Sequence, residues 1–498
     1  MPLIEAFGQI LDPYLLLILT TGVLSGIVFG AVPGLTGGML MVLALPLTFY
    51  MDSMDAIVLL VGMYVGGTTG GLITAILLRI PGSPANVVTT LDGHPMARAG
   101  KAERALALAV VASFIGGAIS WVFLAALSPL LSRIALTFSS FEYFSFIMMG
   151  LVLIGAVSAG SNLKGFMAAI FGMLVAMPGL DGPSGQMRLT FGISDLAGGL
   201  HYMPVLIGVF AGAALINEII SNHRAPEAIA TVSVRRTLRE MGRVLAHRWN
   251  LLRSSVIGTF VGLLPGVGGN IGSIVAYTVA RSSSRNPDQF GHGSEAGIVA
   301  SESANNATIG GALIPLITMG IPGSVADILL LSALIIHNVR PGPMLINTHP
   351  DLYYGIISAA LIGNIIMIAA MVMIIPRAAR LAQLPKAGLV PVIFLFCVLG
   401  TFALHNNPAD IWVMAVFALV GFGMERTGYP LAPFVIGLIL SPIAEEALRS
   451  SLMASAGSYA PFFTRPISLA CLLIAFTILI WPLVVRRRLQ IATSDAGD

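Results

Sequence analysis

The chain reads as a succession of apolar runs broken by short polar turns. Runs long enough to cross hydrocarbon, or nearly so, fall at 14–45, 56–80, 105–131, 143–159, 162–178, 200–220, 254–280, 296–321, 323–337, 351–376, 388–404, 409–424, 429–442 and 466–485. A helical span takes about 20 apolar residues, so the shorter runs predict tilted, buried or re-entrant segments. Backbone groups cannot face lipid unpaired, which leaves helices or a closed barrel, and continuous runs rather than ten-residue alternations select helices. The pattern predicts an all-α polytopic membrane protein with broken or re-entrant helices.

Composition agrees. Hydrophobic residues make up 56% and charged residues 10% of 498, with a mean hydropathy of +0.91. Soluble domains carry about 25% charge, so an ordinary wetted surface is excluded. The 55 glycines lie inside apolar runs, where small residues let membrane helices approach closely. Cys397 and Cys471 both sit in apolar stretches and form no disulfide framework. The first long run, Tyr14 to Val32, lacks a basic leader and is expected to be retained.

Basic residues set a topology. His223 to Arg253 carries Arg224, Arg235, Arg236, Arg239, Arg243, Arg248 and Arg253 against Glu227 and Glu240. By the positive-inside rule this connector is cytoplasmic, as are Arg486–Arg488 and the clusters Arg98/Lys101/Arg104 and Arg377/Arg380/Lys386. The expected organisation is a first transmembrane half at 1–222, the connector at 223–253, a second half at 254–485 and a cytoplasmic tail at 486–498.

The halves echo one another. Gly30-Ala-Val-Pro33-Gly34-Leu-Thr36-Gly37-Gly38 is matched by Gly262-Leu-Leu-Pro265-Gly266-Val-Gly268-Gly269-Asn270, at an offset of 232. Gly70-Gly71 through Pro81-Gly82-Ser83 is matched by Gly310-Gly311 through Pro322-Gly323-Ser324, at an offset of 240 for the glycine pair and 241 for Pro-Gly-Ser. Proline removes a helical donor and glycine relaxes the backbone, so Pro33-Gly34, Pro81-Gly82, Pro265-Gly266 and Pro322-Gly323 are expected helix breaks. Paired breaks in two halves point to a midplane transport site, and the distribution of basic residues favours an inverted relation between the halves.

Each break brings short polar side chains into an apolar setting. Thr36, Thr68, Arg79, Ser83, Asn86, Asn270, Asn305, Asn306 and Ser324 are candidate substrate contacts, since hydroxyls and amides bind carboxylates without a heavy burial cost. Glu302 and Asp327, expensive inside a membrane, are candidates for coupling a cation or proton. Broken helix ends could also hold Na⁺, with ligands left open. An Arg79–Asp327 ion pair is a further expectation. No His-Glu-x-x-His, Walker loop or Gly-x-Ser-x-Gly is present, so neither an enzyme nor an organic cofactor is expected. An organic-anion channel and a non-transporting scaffold are the alternatives to a transporter.

The repeated Gly-x-x-Pro-Gly-x-x-Gly-Gly resembles the large membrane subunit of the tripartite tricarboxylate transporter family. So do Pro81-Gly82-Ser83-Pro84-Ala-Asn-Val-Val-Thr-Thr-Leu-Asp92-Gly93-His94-Pro95-Met96 and Glu302-Ser-Ala-Asn305-Asn306-Ala-Thr-Ile-Gly310-Gly311. The resemblance implies a permease of a bacterial inner membrane, working with a small membrane subunit and a periplasmic solute-binding protein. It further implies uptake of citrate-like or related carboxylates driven by a Na⁺ or H⁺ gradient. Arg79 and Asp327 depart from the family pattern, which commonly has a small polar residue such as Asn at the first place and a small or hydroxyl residue at the second.

Overall fold

The computed structural model describes residues 2–494 apart from 33, 158–160, 182–184, 221–232, 266–267 and 378–385. Helices dominate the described residues: α1 (Pro2–Ile10), α2 (Pro13–Gly30), α3 (Gly37–Thr48), α4 (Ser53–Leu78), α5 (Val87–Met96), α6 (Ala102–Ala135), α7 (Ser140–Val157), α8 (Asn162–Val175), α9 (Tyr202–Leu206) and α10 (Ala213–Ile220) come first. There follow α11 (Val234–Met241), α12 (Arg248–Gly262), α13 (Gly268–Ser282), α14 (Glu295–Met319), α15 (Val325–Ile336), α16 (Leu345–Thr348) and α17 (Pro350–Ile374). The last are α18 (Lys386–His405), α19 (Pro408–Arg426), α20 (Leu431–Ala454), α21 (Ala460–Thr464) and α22 (Pro466–Ser494). Among the described residues, seven helical stretches are long and apolar enough to span a membrane. The protein is an all-α, multi-pass membrane protein.

The expected breaks are present where they are described. The 14–45 run divides into α2 and α3, and the 254–280 run into α12 and α13. Pro81-Gly82 separates α4 from α5, and Pro322-Gly323 separates α14 from α15. At 1.5 Å per residue α3, α5 and α15 are roughly 15–18 Å long, well short of the ~30 Å hydrocarbon core. Pro33 and Gly266 lie outside the described residues.

Two compact units are evident: 1–133 with 203–422, and 134–202 with 423–498. Each draws on chain before and after the connector. Residues 223–232 of that connector, and 495–498 of the tail, lie outside the described residues.

The first unit is built on two glycine-lined helix pairs. Along α2, Gly22, Gly26 and Gly30 meet α4 so closely that a Cβ on Gly26 would lie 2.6 Å from the Met63 carbonyl. Facing them on α4, a Cβ on Gly66 would lie 2.1 Å from the Val23 carbonyl. The α12–α14 pair repeats this arrangement: a Cβ on Gly258 would come 2.3 Å from the Ala304 carbonyl, and one on Gly311 2.1 Å from the Thr259 carbonyl. Small residues let backbones touch, and dispersion then does the holding where lipid offers no hydrophobic drive. Both α4 and α14 are buried along almost their whole length.

In the second unit, α8 and α20 pack in the same way through Gly172 and Gly437. A short antiparallel pair, Gly179–Leu180 with Met187–Arg188, is fastened to α20 by ion pairs. Arg188 reaches Glu445 at 2.7 Å and Arg449 reaches Asp181 at 2.9 Å.

Candidate functional site

The four breaks of the first unit converge. A Cβ on Gly82 would lie 2.6 Å from the Gly30 carbonyl, joining the α4–α5 break to the end of α2. A Cβ on Gly323 would lie 3.3 Å from the Gly262 carbonyl, joining the α14–α15 break to the end of α12. Across the halves, Gly38 approaches Val325 Cγ1 at 3.3 Å and Gly269 approaches Ala85 at 3.6 Å, and within the second half Gly268 approaches the Gly323 carbonyl at 3.5 Å, each measured from an ideal Cβ. A polar centre therefore forms where α4 and α14 run side by side and α3, α5, α13 and α15 begin.

Glu302 occupies one part of it. Fully buried on α14, it accepts from Asn86 Nδ2 at 3.1 Å, from the Thr89 hydroxyl and from the Ser113 hydroxyl at 3.3 Å. Ser83 in turn donates to Asn86 Oδ1 at 2.7 Å, and Thr89 meets Ser301 at 3.0 Å. Each oxygen of Glu302 has a donor, so this carboxylate holds α5 and α6 against α14. One turn further along, Asn306 Nδ2 donates to the Thr69 hydroxyl at 2.7 Å, and Asn305 Nδ2 reaches the Thr68 carbonyl at 3.5 Å.

Asp327 is the opposite case. It lies in the first turn of α15, whose N-cap Ser324 accepts from the Asp327 backbone N–H at 3.3 Å. Ser324 also meets the Tyr64 hydroxyl at 3.1 Å. The carboxylate is fully buried, and neither oxygen is within hydrogen-bond distance of a donor, although the Ser324 and Tyr64 hydroxyls and the Gly323 and Ser324 N–H groups stand close by. Asn305 Oδ1, Asn306 Oδ1 and the Ser273 hydroxyl are likewise buried without partners. Burying an acceptor unpaired costs about 1–3 kcal/mol and a lone charge far more. A buried carboxylate of this kind is a candidate to take up a proton or a cation.

A tripartite tricarboxylate transporter TctA family model matches residues 16–436. The chain belongs to that family. Two Agrobacterium vitis proteins are similar to this TctA-family chain. One, described as an uncharacterized 52.8 kDa protein in the TAR-I ttuC' 3' region, is 33% identical over 482 residues, covering 94% of each chain. The other, an uncharacterized protein in the TAR-II ttuC' 3' region, is 34% identical over 241 residues, which is 48% of this chain and all of that one. No solved structure matches.

The remaining sequence candidates of this family member distribute as follows. Thr36 caps α3 by accepting from the Met39 N–H at 3.1 Å, and Thr68 donates to the Tyr64 carbonyl at 2.8 Å. Gly34 and Pro81 are exposed, whereas Pro265 and Pro322 are buried. The Asn270 side chain lies outside the described residues. The expected Arg79–Asp327 ion pair is not formed. Arg79 ends α4 in the left-handed conformation, φ 60°, with its side chain exposed, so it is not placed beside the fully buried carboxylate.

Three participants escaped sequence reasoning. Tyr64 stands one helical turn before Thr68, and that i,i+4 spacing was a usable signal. Ser113 is one of four serines in the apolar helix α6, with nothing in the sequence to single it out. Asp92 was visible only as part of a motif. Its Oδ1 accepts from the N–H groups of Gly291, Gly293 and Ser294 at 2.8–2.9 Å, and its Oδ2 from the Tyr277 hydroxyl at 2.9 Å. A carboxylate so fully engaged joins α5 to α13 and to the turn before α14.

Proposed function

We propose that this chain is the translocating subunit of a secondary importer of organic carboxylates in a bacterial inner membrane. Its substrate is a tri- or dicarboxylate or a related organic anion, delivered by a periplasmic binding protein and accompanied by Na⁺ or H⁺. A small membrane subunit completes the assembly. The observation that carries this reading is Asp327, a fully buried carboxylate at a helix break with no basic partner among the described residues and no donor within hydrogen-bond distance. An anion in that position needs a proton or a small cation to neutralise it, which is what ion-coupled uptake requires.

Two further features support it. The helices that end at the two breaks have matched lengths, 26 and 25 residues, and both stop at a left-handed residue, Arg79 and Gly320. Such paired breaks suit alternating access by two inverted halves. Arg79, exposed and without an ion-pair partner among the described residues, offers a planar fork for a substrate carboxylate.

The test is uptake of labelled carboxylates by the chain reconstituted with its binding protein and small subunit, under an imposed Na⁺ or proton gradient. Accumulation above the external concentration, lost when the gradient is collapsed, is expected. Flux that stops at equilibration would mark a channel and overturn the proposal.

A further inference from the structure

The connector carries a surface unrelated to the transport site. Between Ser233 and Arg253 the chain has six arginines and a single acidic residue, Glu240. One side of this stretch is pinned to the protein. Glu240 pairs with Arg243 at 2.6 Å and with Arg104 of α6 at 3.8 Å. Glu295, at the start of α14, pairs with Arg104 and with His247 at 3.5 Å. Thr237 and Val244 are buried beneath.

The other side is free. Arg235, Arg239 and Arg248 are exposed and have no acceptor among the described residues. Val234, Leu238, Leu245 and Trp249 are exposed beside them, Trp249 by 75%. On α11 the pairs Arg235/Arg239 and Val234/Leu238 are each spaced i,i+4, so a basic stripe runs next to an apolar one. A connector bathed only in water has no use for four exposed apolar side chains. A helix lying in the lipid interface has: its apolar line enters the headgroup–acyl boundary and its arginines meet phosphates. Trp249 opens α12 at the place where interfacial tryptophans gather.

We infer that residues 234–249 form a docking surface for anionic phospholipid headgroups, with Arg235, Arg239 and Arg248 as the phosphate-binding groups. The ion pairs of Glu240 and Glu295 hold this surface at a fixed height on the transport unit.

The test uses the delipidated full chain in detergent and compares retention of phosphatidylglycerol and phosphatidylcholine by native mass spectrometry. Phosphatidylglycerol is expected to bind preferentially, and more weakly as salt rises. Each Arg→Gln substitution should weaken it about fivefold, and the triple variant R235Q/R239Q/R248Q about a hundredfold. Trp249→Ala should weaken both lipids alike. All these side chains are exposed, and an unchanged melting temperature of the triple variant in phosphatidylcholine confirms its folding. Equal retention of the two lipids, or a triple variant that keeps its preference, overturns the inference. So does complete displacement by millimolar inorganic phosphate, which would mark a free-anion site instead.

Discussion

The break after α4 and the break after α14 share a geometry and differ in chemistry. Both helices run for about seven turns, end on a left-handed residue and are followed by Pro-Gly-Ser and a half-length helix. After the first break the polar side chains close on one another, Ser83 to Asn86 and Asn86 to Glu302. After the second, Ser324 caps its helix and Asp327 is left with two open oxygens. Packing follows the same division in degree. Gly82 is pressed against Gly71 and the Gly30 carbonyl, whereas Gly323 is tight only against the Gly262 carbonyl, at 3.3 Å. The first break is the more tightly packed, and the second leaves its carboxylate without a donor at hydrogen-bond distance.

The largest effect expected from that difference is steric. A Cβ at Gly82 would lie 2.4 Å from Gly71 Cα and 2.6 Å from the Gly30 carbonyl, both backbone atoms that cannot swing aside. Gly82→Ala should cost about 3 kcal/mol or more and deplete the folded protein. At Gly323 the nearest atom, the Gly262 carbonyl oxygen, is at 3.3 Å and need give only a few tenths of an ångström, so Gly323→Ala should lose clearly less than Gly82→Ala. Comparing the melting temperatures and membrane yields of the two variants checks this. Equal losses would erase the distinction between the joints.

Next in size is the chemical difference. Asp327→Asn keeps the shape of the side chain and removes its charge, so insertion should survive while coupling between ion and substrate fails. Coupling energies between sites correspond to about 5–150-fold, and the gradient-driven accumulation ratio should fall within that range. Substrate exchange without a gradient should fall much less. An unchanged accumulation ratio across several Na⁺ concentrations and pH values would remove Asp327 from the mechanism.

Glu302 sharpens the contrast from the other side. Its role is to gather donors, so Glu302→Ala would strand Asn86, Thr89 and Ser113, destabilising the fold by about 1–3 kcal/mol. Glu302→Gln, which keeps one good acceptor, should recover part of that loss. Thermal unfolding of both variants in detergent reads the effect. Loss of coupling in Glu302→Gln at full stability would instead move Glu302 into the ion site, where sequence reasoning had also placed it.

Much of this centre is legible in the sequence because its signals are local. Pro-Gly pairs mark breaks wherever they fall in an apolar run, and two copies of one motif announce that the breaks belong together. Glu302 and Asp327 stand out because ionisable groups are costly in a span. What sequence reasoning cannot supply is which polar groups satisfy which. Glu302 and Asp327 look alike in the chain, and only the packing of α5 and α6 on α14 shows that one is saturated. Ser113 joins Glu302 from 189 positions away. Arg79 failed as a partner of Asp327 for a related reason. Proximity to a break fixes a backbone position, but the left-handed turn sets the direction of the side chain, here outward.

Arg79 gives the finest test of the comparison, because its two attributes pull in opposite directions. It occupies the place held by Gly320 in the second half, at φ 60° against 72°. Glycine adopts that conformation freely, while a residue with a Cβ pays roughly 1–2 kcal/mol. Strain of this kind persists where a side chain is needed, and this one is an exposed guanidinium. Arg79→Gly should therefore raise stability by up to about 1 kcal/mol, seen as a small upward shift in melting temperature. Uptake of dilute carboxylate should weaken at the same time, most visibly at low ionic strength, where an exposed charge acts at longest range. Arg79→Lys separates charge from geometry: it keeps the strain and the point charge but lacks the bidentate fork. If the lysine variant transports like the parent, attraction at a distance suffices. If it transports like the glycine variant, the guanidinium grips the substrate directly. A glycine variant that gains stability and loses no uptake would leave Arg79 without a part in transport.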